Sequence, residues 1–269
     1  MSDWRERPEK TWIVGHRGAP RRARENTIES LDWAESLGAD AVEFDLRQTR
    51  DGEAVLFHDE EIAMGSQHVP VRSFTAREIE RLTLSSALGE YRIPKLEQVF
   101  HRYGPALKYV IEVKVTPSTQ LSLMTRRVAR LAAEYGVSRR CLVASFDAEL
   151  LKKMREVAPD IATSFLFDHP VALPEPGRPT PLFPPVDGIG PRKDLVTAQL
   201  LEHAAEARLS VHPWTADETP EIRRLLEAGV FSLTTNAPEV AIRIRDGAPE
   251  AEKGVTLLER GDSGYGTPS

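Results

Sequence analysis

The chain has 269 residues, 41% of them apolar, enough to bury a large core without disulfide or metal staples. A formal net charge of -6 and a pI near 5.7 exclude a general nucleic-acid binder, which needs a basic field to neutralise phosphates. A small phosphorylated ligand stays compatible, because a few local cations hold one.

Residues 1–10 read as a charged N-terminal extension that carries Glu6 and Glu9 and lacks the apolar stretch of a secretory signal. No run approaches the roughly 20 apolar residues of a membrane span. The expected location is the cytoplasm. From Trp12 onward, short apolar runs alternate with amphipathic helical stretches. The runs are 12–14, 41–46, 109–113, 141–144, 162–166, 188–190, 209–212 and 231–234. Such alternation implies parallel strands joined by helical crossovers, and eight units favour a closed (β/α)8 TIM barrel over an open sheet. The barrel is placed at residues 11–246.

Two segments break the rhythm. Residues 59–93 are too long for a connection between a strand and its helix. With a helical patch at 75–82, they read as a small insertion after strand 2. Residues 169–185 are dense in proline and read as a loop between strands five and six. Residues 247–269 are polar, rich in Gly and Glu, and read as a disordered tail. The helices carry local signals. Asn26-Thr27-Ile28-Glu29 predicts an N-cap at Asn26 with an acidic N3 residue. Leu121, Met124, Val128, Leu131 and Tyr135 predict one buried stripe. Thr219-Pro220 predicts a cap before a first-turn proline, and Gly229 ends that helix. Cys141, in an apolar strand, reads as an inert core residue.

The chemistry gathers at strand ends. His16, in Gly15-His16-Arg17-Gly18, shares a strand face with Trp12 and Val14 and sits at the C-terminal end, where such barrels place their sites. In strand two, Val42, Phe44 and Leu46 share one face, and Glu43 and Asp45 the other. An extended run, 54–57, delivers His58-Asp59. In strand three, Ile111 and Val113 face the helices, while Glu112 and Lys114 face the mouth. Three converging carboxylates repel one another, and bare they are costly. A divalent cation resolves this, and oxygen-only ligands favour Mg2+ or Ca2+ over zinc. The competing reading is a salt-bridge layer with Lys114 and Arg47. Imidazole titrates near neutrality, so His16 suits a base and His58 an acid. Arg17 and Lys114 suit phosphate contacts, one as a planar fork and one as a point charge. His68, His101, His169 and His203 read as surface, loop or helix-stripe residues. His212 ends the seventh run just before Trp214, and reads as either structural or lining the site.

Taken in order, Gly15-His16-Arg17-Gly18, Glu25-Asn26-Thr27, Glu43-Phe44-Asp45, Asp51-Gly52, His58-Asp59, Glu112-Val113-Lys114 and Trp214-Thr215 resemble the signature series of the glycerophosphodiester phosphodiesterase family. Ile93-Pro94-Lys95-Leu96-Glu97 and Ser145-Phe146 resemble it too, and the likeness spans about residues 12–244. It implies a TIM barrel with an insertion, and one divalent metal on Glu43, Asp45 and Glu112 with Glu25 nearby. It also implies His16 and His58 as the acid/base pair, Arg17 and Lys114 on the phosphate, and Trp214 as an apolar wall.

The implied reaction is hydrolysis of a small-molecule glycerophosphodiester to an alcohol and sn-glycerol 3-phosphate. Arg24 stands where that family usually has proline, Asp217 where it has asparagine, and Asn236 where it has aspartate. A lysophospholipase D-type activity on the same site is an alternative if Phe165, Phe167, Leu173, Leu182 and Phe183 supply an acyl surface. A non-catalytic phosphodiester-binding barrel is another. A metal-dependent amidohydrolase fits poorly, because His16 is followed by Arg17-Gly18 and no His-x-His pair is present. Head group, Mg2+ against Ca2+, direct water attack against a cyclic phosphate route, the role of the proline-rich loop 169–185, and oligomeric state stay open.

Overall fold

A computed structural model describes residues 3–171 and 183–248. The chain begins with strand β1 (Trp12–Gly15), helix α1 (Ile28–Ser36) and strand β2 (Ala41–Gln48). It turns back through β3 (Ala54–Leu56), which pairs antiparallel with the end of β2. Two small hairpins follow, β4 (Glu61–Met64) with β5 (Gln67–Pro70) and β6 (Leu84–Ser86) with β7 (Gly89–Tyr91), separated by α2 (Ala76–Glu80). This group packs a core of its own from Val55, Phe57, Ile62, Val71, Ile79, Leu84 and Ile93. Regular alternation resumes with α3 (Leu96–Tyr103), β8 (Tyr109–Val113), α4 (Leu121–Glu134), β9 (Cys141–Ser145), α5 (Ala148–Val157) and β10 (Ala162–Phe167). It ends with β11 (Gly188–Pro191), α6 (Ala198–Glu206), β12 (Ser210–Val211), α7 (Thr219–Glu227), β13 (Ser232–Thr235) and α8 (Pro238–Arg245).

Parallel pairing runs β12-β11-β10-β9-β8-β2-β1-β13. The eight predicted runs are these eight strands, so the fold is the expected (β/α)8 barrel. The β13–β12 seam is closed by single hydrogen bonds rather than a ladder. Phe231 N–H donates to Val211 O at 2.9 Å, and Thr234 N–H donates to Pro213 O at 3.1 Å. Val42, Phe44, Leu46, Ile111 and Val113 pack outward against helices, as the strand alternation predicts. The α4 stripe is also as predicted, with Met124, Val128 and Leu131 buried.

The barrel interior is filled by Trp12, Val14, Ala41, Val110, Leu142, Ala144, Ala162, Leu166 and Phe231. One more residue joins them from the segment read as a charged extension. Trp4 is 1% exposed, and its ring lies edge-on to Trp12 at 4.9 Å and stacks on Phe231 at 6.3 Å. Its indole N–H donates to Arg140 O at 2.8 Å. Arg5 donates to Pro159 O and Ile161 O and pairs with Asp187 at 2.9 Å, while Arg7 donates to Gly229 O. These partners all precede or begin a strand, so residues 4–7 seal the N-terminal end of the barrel.

Two predicted helix starts shift by one residue. Thr27, not Asn26, caps α1 by accepting from Ser30 N–H at 3.2 Å, because Asn26 is occupied elsewhere. The residue before α7 is Glu218, and Pro220 lies in the first turn. Leu173, Leu182 and most of the proline-rich segment and the C-terminal tail lie outside the described residues. No described helix is long and apolar enough to cross a membrane.

Candidate active site

The site is assembled at the C-terminal ends of β1, β2 and β8. The β1 turn is built for close approach. Gly18 has φ +88°, and a Cβ there would lie 2.4 Å from the Ser30 backbone. The tight turn directs Arg17 N–H onto Glu43 Oε2 at 2.8 Å. Its guanidinium then reaches Glu25 Oε1 and Asp45 Oδ2, each at 3.0 Å. Asn26, at φ +57°, grips Asp45 twice: its amide donates to Asp45 Oδ2 at 2.8 Å, and its oxygen accepts from Asp45 N–H at 3.0 Å. Asn26 was read as a cap. It is a clamp on a site carboxylate instead, and its partner nineteen residues away left no local signal.

Glu43, Asp45 and Glu112 offer ligand oxygens that all lie within 4.8 Å of one another. Asp45 is fully buried and Glu43 nearly so. Lys114 Nζ sits 3.1 Å from Asp45 Oδ1 and 2.5 Å from Glu112 Oε1. The salt-bridge reading is thus half present, but it does not account for the cluster. Glu43 Oε1 is buried with no hydrogen-bond partner among the described residues, while Lys114 pairs with Asp45 and Glu112. Arg47 takes no part, since its guanidinium donates to His58 O at 2.6 and 3.0 Å.

Charge follows from this packing. Burial, then the Asp45 and Glu112 charges, push the Glu43 carboxyl well above the ordinary range. Burial also raises Glu112. Burial opposes ionisation of Asp45 as well, but Lys114 and then Arg17 hold it below the carboxylate norm.

His16 faces the same space, with Nε2 3.9 Å from Glu43 Oε2. Burial, then Arg17, lower its pKa, so the neutral ring is favoured. Behind it, Nδ1 lies 2.8 Å from Asn236 Oδ1, and Asn236 in turn donates to Asp217. Two departures from the family pattern are therefore bonded to each other. His58, half-exposed, bonds Asp59 Oδ1 through Nδ1 at 2.8 Å and lines a small cleft with Arg24, Glu25, Asn26 and Tyr91.

Beneath the carboxylates a small cavity is lined by His16, Glu43, Glu112, Leu166, Trp214 and His212 among others. Trp214 is anchored by donating its indole N–H to Gly190 O at 2.7 Å, and Phe146, 44% exposed, meets it edge-on at 5.7 Å. His212 lines the cavity but is committed: both ring nitrogens bond serine hydroxyls, of Ser210 and Ser232, and burial pushes its pKa down to about 3. Phe167 and Phe183 stack together in the outer core with Ile189 and Leu200, and Phe165 packs against the same core. These three phenylalanines are helix-side packing, not an acyl surface at the site.

Residues 16–240 match the model of the Glycerophosphoryl diester phosphodiesterase family. The chain belongs to that family. This family member is 28% identical over 241 residues to a glycerophosphodiester phosphodiesterase of Caldanaerobacter subterraneus subsp. tengcongensis, covering 87% of this chain and 98% of that one. It is 26% identical over 259 residues to the Bacillus subtilis enzyme of the same name, covering 89% and 88%. In three dimensions it resembles a Silicibacter pomeroyi protein at a TM-score of 0.81 and 26% identity, covering 91% and 96%. It also shares its fold with an Oleispira antarctica phosphodiesterase solved with the product sn-glycerol-3-phosphate (TM-score 0.74, 20% identity, covering 88% and 97%).

Proposed function

We propose that this family member hydrolyses glycerophosphodiesters to an alcohol and sn-glycerol 3-phosphate. His16 and His58 are the proton-transfer pair, and Glu43, Asp45 and Glu112 hold one divalent cation, Mg2+ or Ca2+. The observation that carries the reading is the meeting of three carboxylates, two of them buried, with His16, Arg17 and Lys114 at one barrel mouth. The oxygen-only donor set and the unpartnered buried Glu43 Oε1 suit a hard cation. When bound, such a cation supplies neutralisation of charge on the phosphoryl oxygens. Glu25 stands beside the cluster, held by Arg17.

The residues divide the work by position. Arg17 and Lys114 are cations at the mouth and hold the phosphodiester oxygens, stabilising the charge that builds up on them. His16 is a neutral base whose Nε2 faces the carboxylates, and it takes a proton from the nucleophile, either water or the neighbouring glycerol hydroxyl of the substrate. His58, more exposed and beside the cleft, returns a proton to the departing alkoxide. Trp214 and Phe146 form an aromatic wall against the glycerol carbons.

Release of glycerol 3-phosphate from a panel of glycerophosphodiesters tests this, with EDTA and then Mg2+ or Ca2+ restored. Turnover should vanish with EDTA and return with metal. Replacing His16 or His58 with Ala should each cost roughly 100- to 10,000-fold in kcat. Full turnover in EDTA would remove the metal from the reading. A less than threefold loss in His58→Ala would remove its acid role.

A further inference from the structure

Behind His16, on the side away from the carboxylates, a line of hydrogen bonds has its direction set at the far end. Asp217 Oδ1 accepts from the Asn236 backbone N–H at 2.7 Å and from the Thr235 hydroxyl at 3.2 Å. Asp217 Oδ2 accepts from the Asn236 side-chain amide at 2.7 Å. An ionised carboxylate can only accept. It therefore turns the nitrogen of the Asn236 amide toward itself and leaves the amide oxygen facing His16 Nδ1, 2.8 Å away. An oxygen at that position requires a proton on Nδ1. The lone pair is then on Nε2, the nitrogen that faces Glu43.

We propose that Asp217 is a positioning residue which, through Asn236, fixes His16 in the Nδ1–H tautomer. The catalytic consequence rests on His16 being the proton acceptor argued above. The tautomer itself does not, and it is measurable without turnover.

The proposal makes the Asp217→Asn variant specific in its failure. The new amide at 217 keeps its oxygen on the Asn236 N–H and the Thr235 hydroxyl, so its NH2 group faces the Asn236 side chain. Two NH2 groups cannot share that contact, and the Asn236 amide must turn over. Its NH2 then points at His16, Nδ1 becomes an acceptor, and the proton moves to Nε2, where the base was needed. Asn236→Asp alone sets two carboxylates against each other. The double variant, Asp217→Asn with Asn236→Asp, restores an acceptor facing Nδ1 and a donor facing that acceptor, so it should recover what either single change loses.

The experiment measures kcat and KM for the parent, both single variants and the double variant, together with the 15N shifts of the His16 ring, which distinguish the tautomers. Asp217→Asn should lower kcat by roughly 100-fold or more, with KM within about threefold, and should show an Nε2–H ring. The double variant should return to within about tenfold of the parent with Nδ1–H restored. Should Asp217→Asn fail to fold, Asn236→Ala carries the test, since it removes the acceptor and should leave a mixture of tautomers. A folded Asp217→Asn that keeps Nδ1–H or loses less than threefold in kcat overturns the proposal, as does a folded double variant no better than the single, or an Asn236→Ala ring that stays wholly Nδ1–H. If His16→Ala retains turnover in the same assay, the base assignment fails, and the ring tautomer in Asp217→Asn still decides the role of Asp217.

Discussion

Glu43 is the most strained charge in the site, with one buried oxygen that meets no donor and two carboxylates for neighbours. Its folded pKa lies above the ordinary 4.5, so the folded state binds more protons than the unfolded state between those two values. Stability of the metal-free protein should therefore fall as pH rises from about 4.5 through the folded value. A divalent ion should flatten that fall. Glu43→Gln removes the titrating group, and comparing its melting curves with the parent's in EDTA isolates the effect. The variant should melt higher than the parent in EDTA at neutral pH, yet lose at least about 100-fold of metal-dependent turnover. A parent and variant with the same pH slope would refute this. Glu43 and Asp45 were legible in the sequence because strand alternation places both on the face opposite Phe44. Asn26 was not, because its work is a contact with a residue distant in the chain.

At the scale of elements, the barrel strands were readable from their apolar runs, while the boundaries moved where side chains had other duties. Asn26 and Thr27 are both good caps, and only the demand of Asp45 for the Asn26 amide decides between them. The seam between β12 and β13 had no signal at all, since it consists of isolated backbone hydrogen bonds. The β1 turn gives a test at this level. Gly18→Ala places a Cβ against the Ser30 backbone at a positive φ, and should cost about 2–4 kcal/mol in urea unfolding. Gly65→Ala is the control: it also has positive φ but open space around it, and should cost only about 1–2 kcal/mol. Equal losses would mean that the close approach at Gly18 contributes nothing.

Across the whole molecule, the catalytic mouth and the sealed end are separate, and Trp4 belongs to the second. A single tryptophan in a charged segment has no period to betray it, so its burial could not be read from sequence. Trp4→Ala should cost about 3–5 kcal/mol, through lost burial and the cavity left behind. At temperatures where the variant stays folded, kcat should remain within about twofold of the parent. A large kcat loss in folded protein would show that the two ends are coupled.

The position of Trp4 also orders the birth of the enzyme in time. Its ring rests on His212 and Phe231, and β1, next in the chain, pairs with β13. A segment made before β1 thus waits for one made after β12. A chain that has emerged only as far as β11 carries Glu43, Asp45 and Glu112 in a sheet that β12 and β13 have yet to close. The barrel closes at both its floor and its seam only once β13 is free, so both closures wait on one strand.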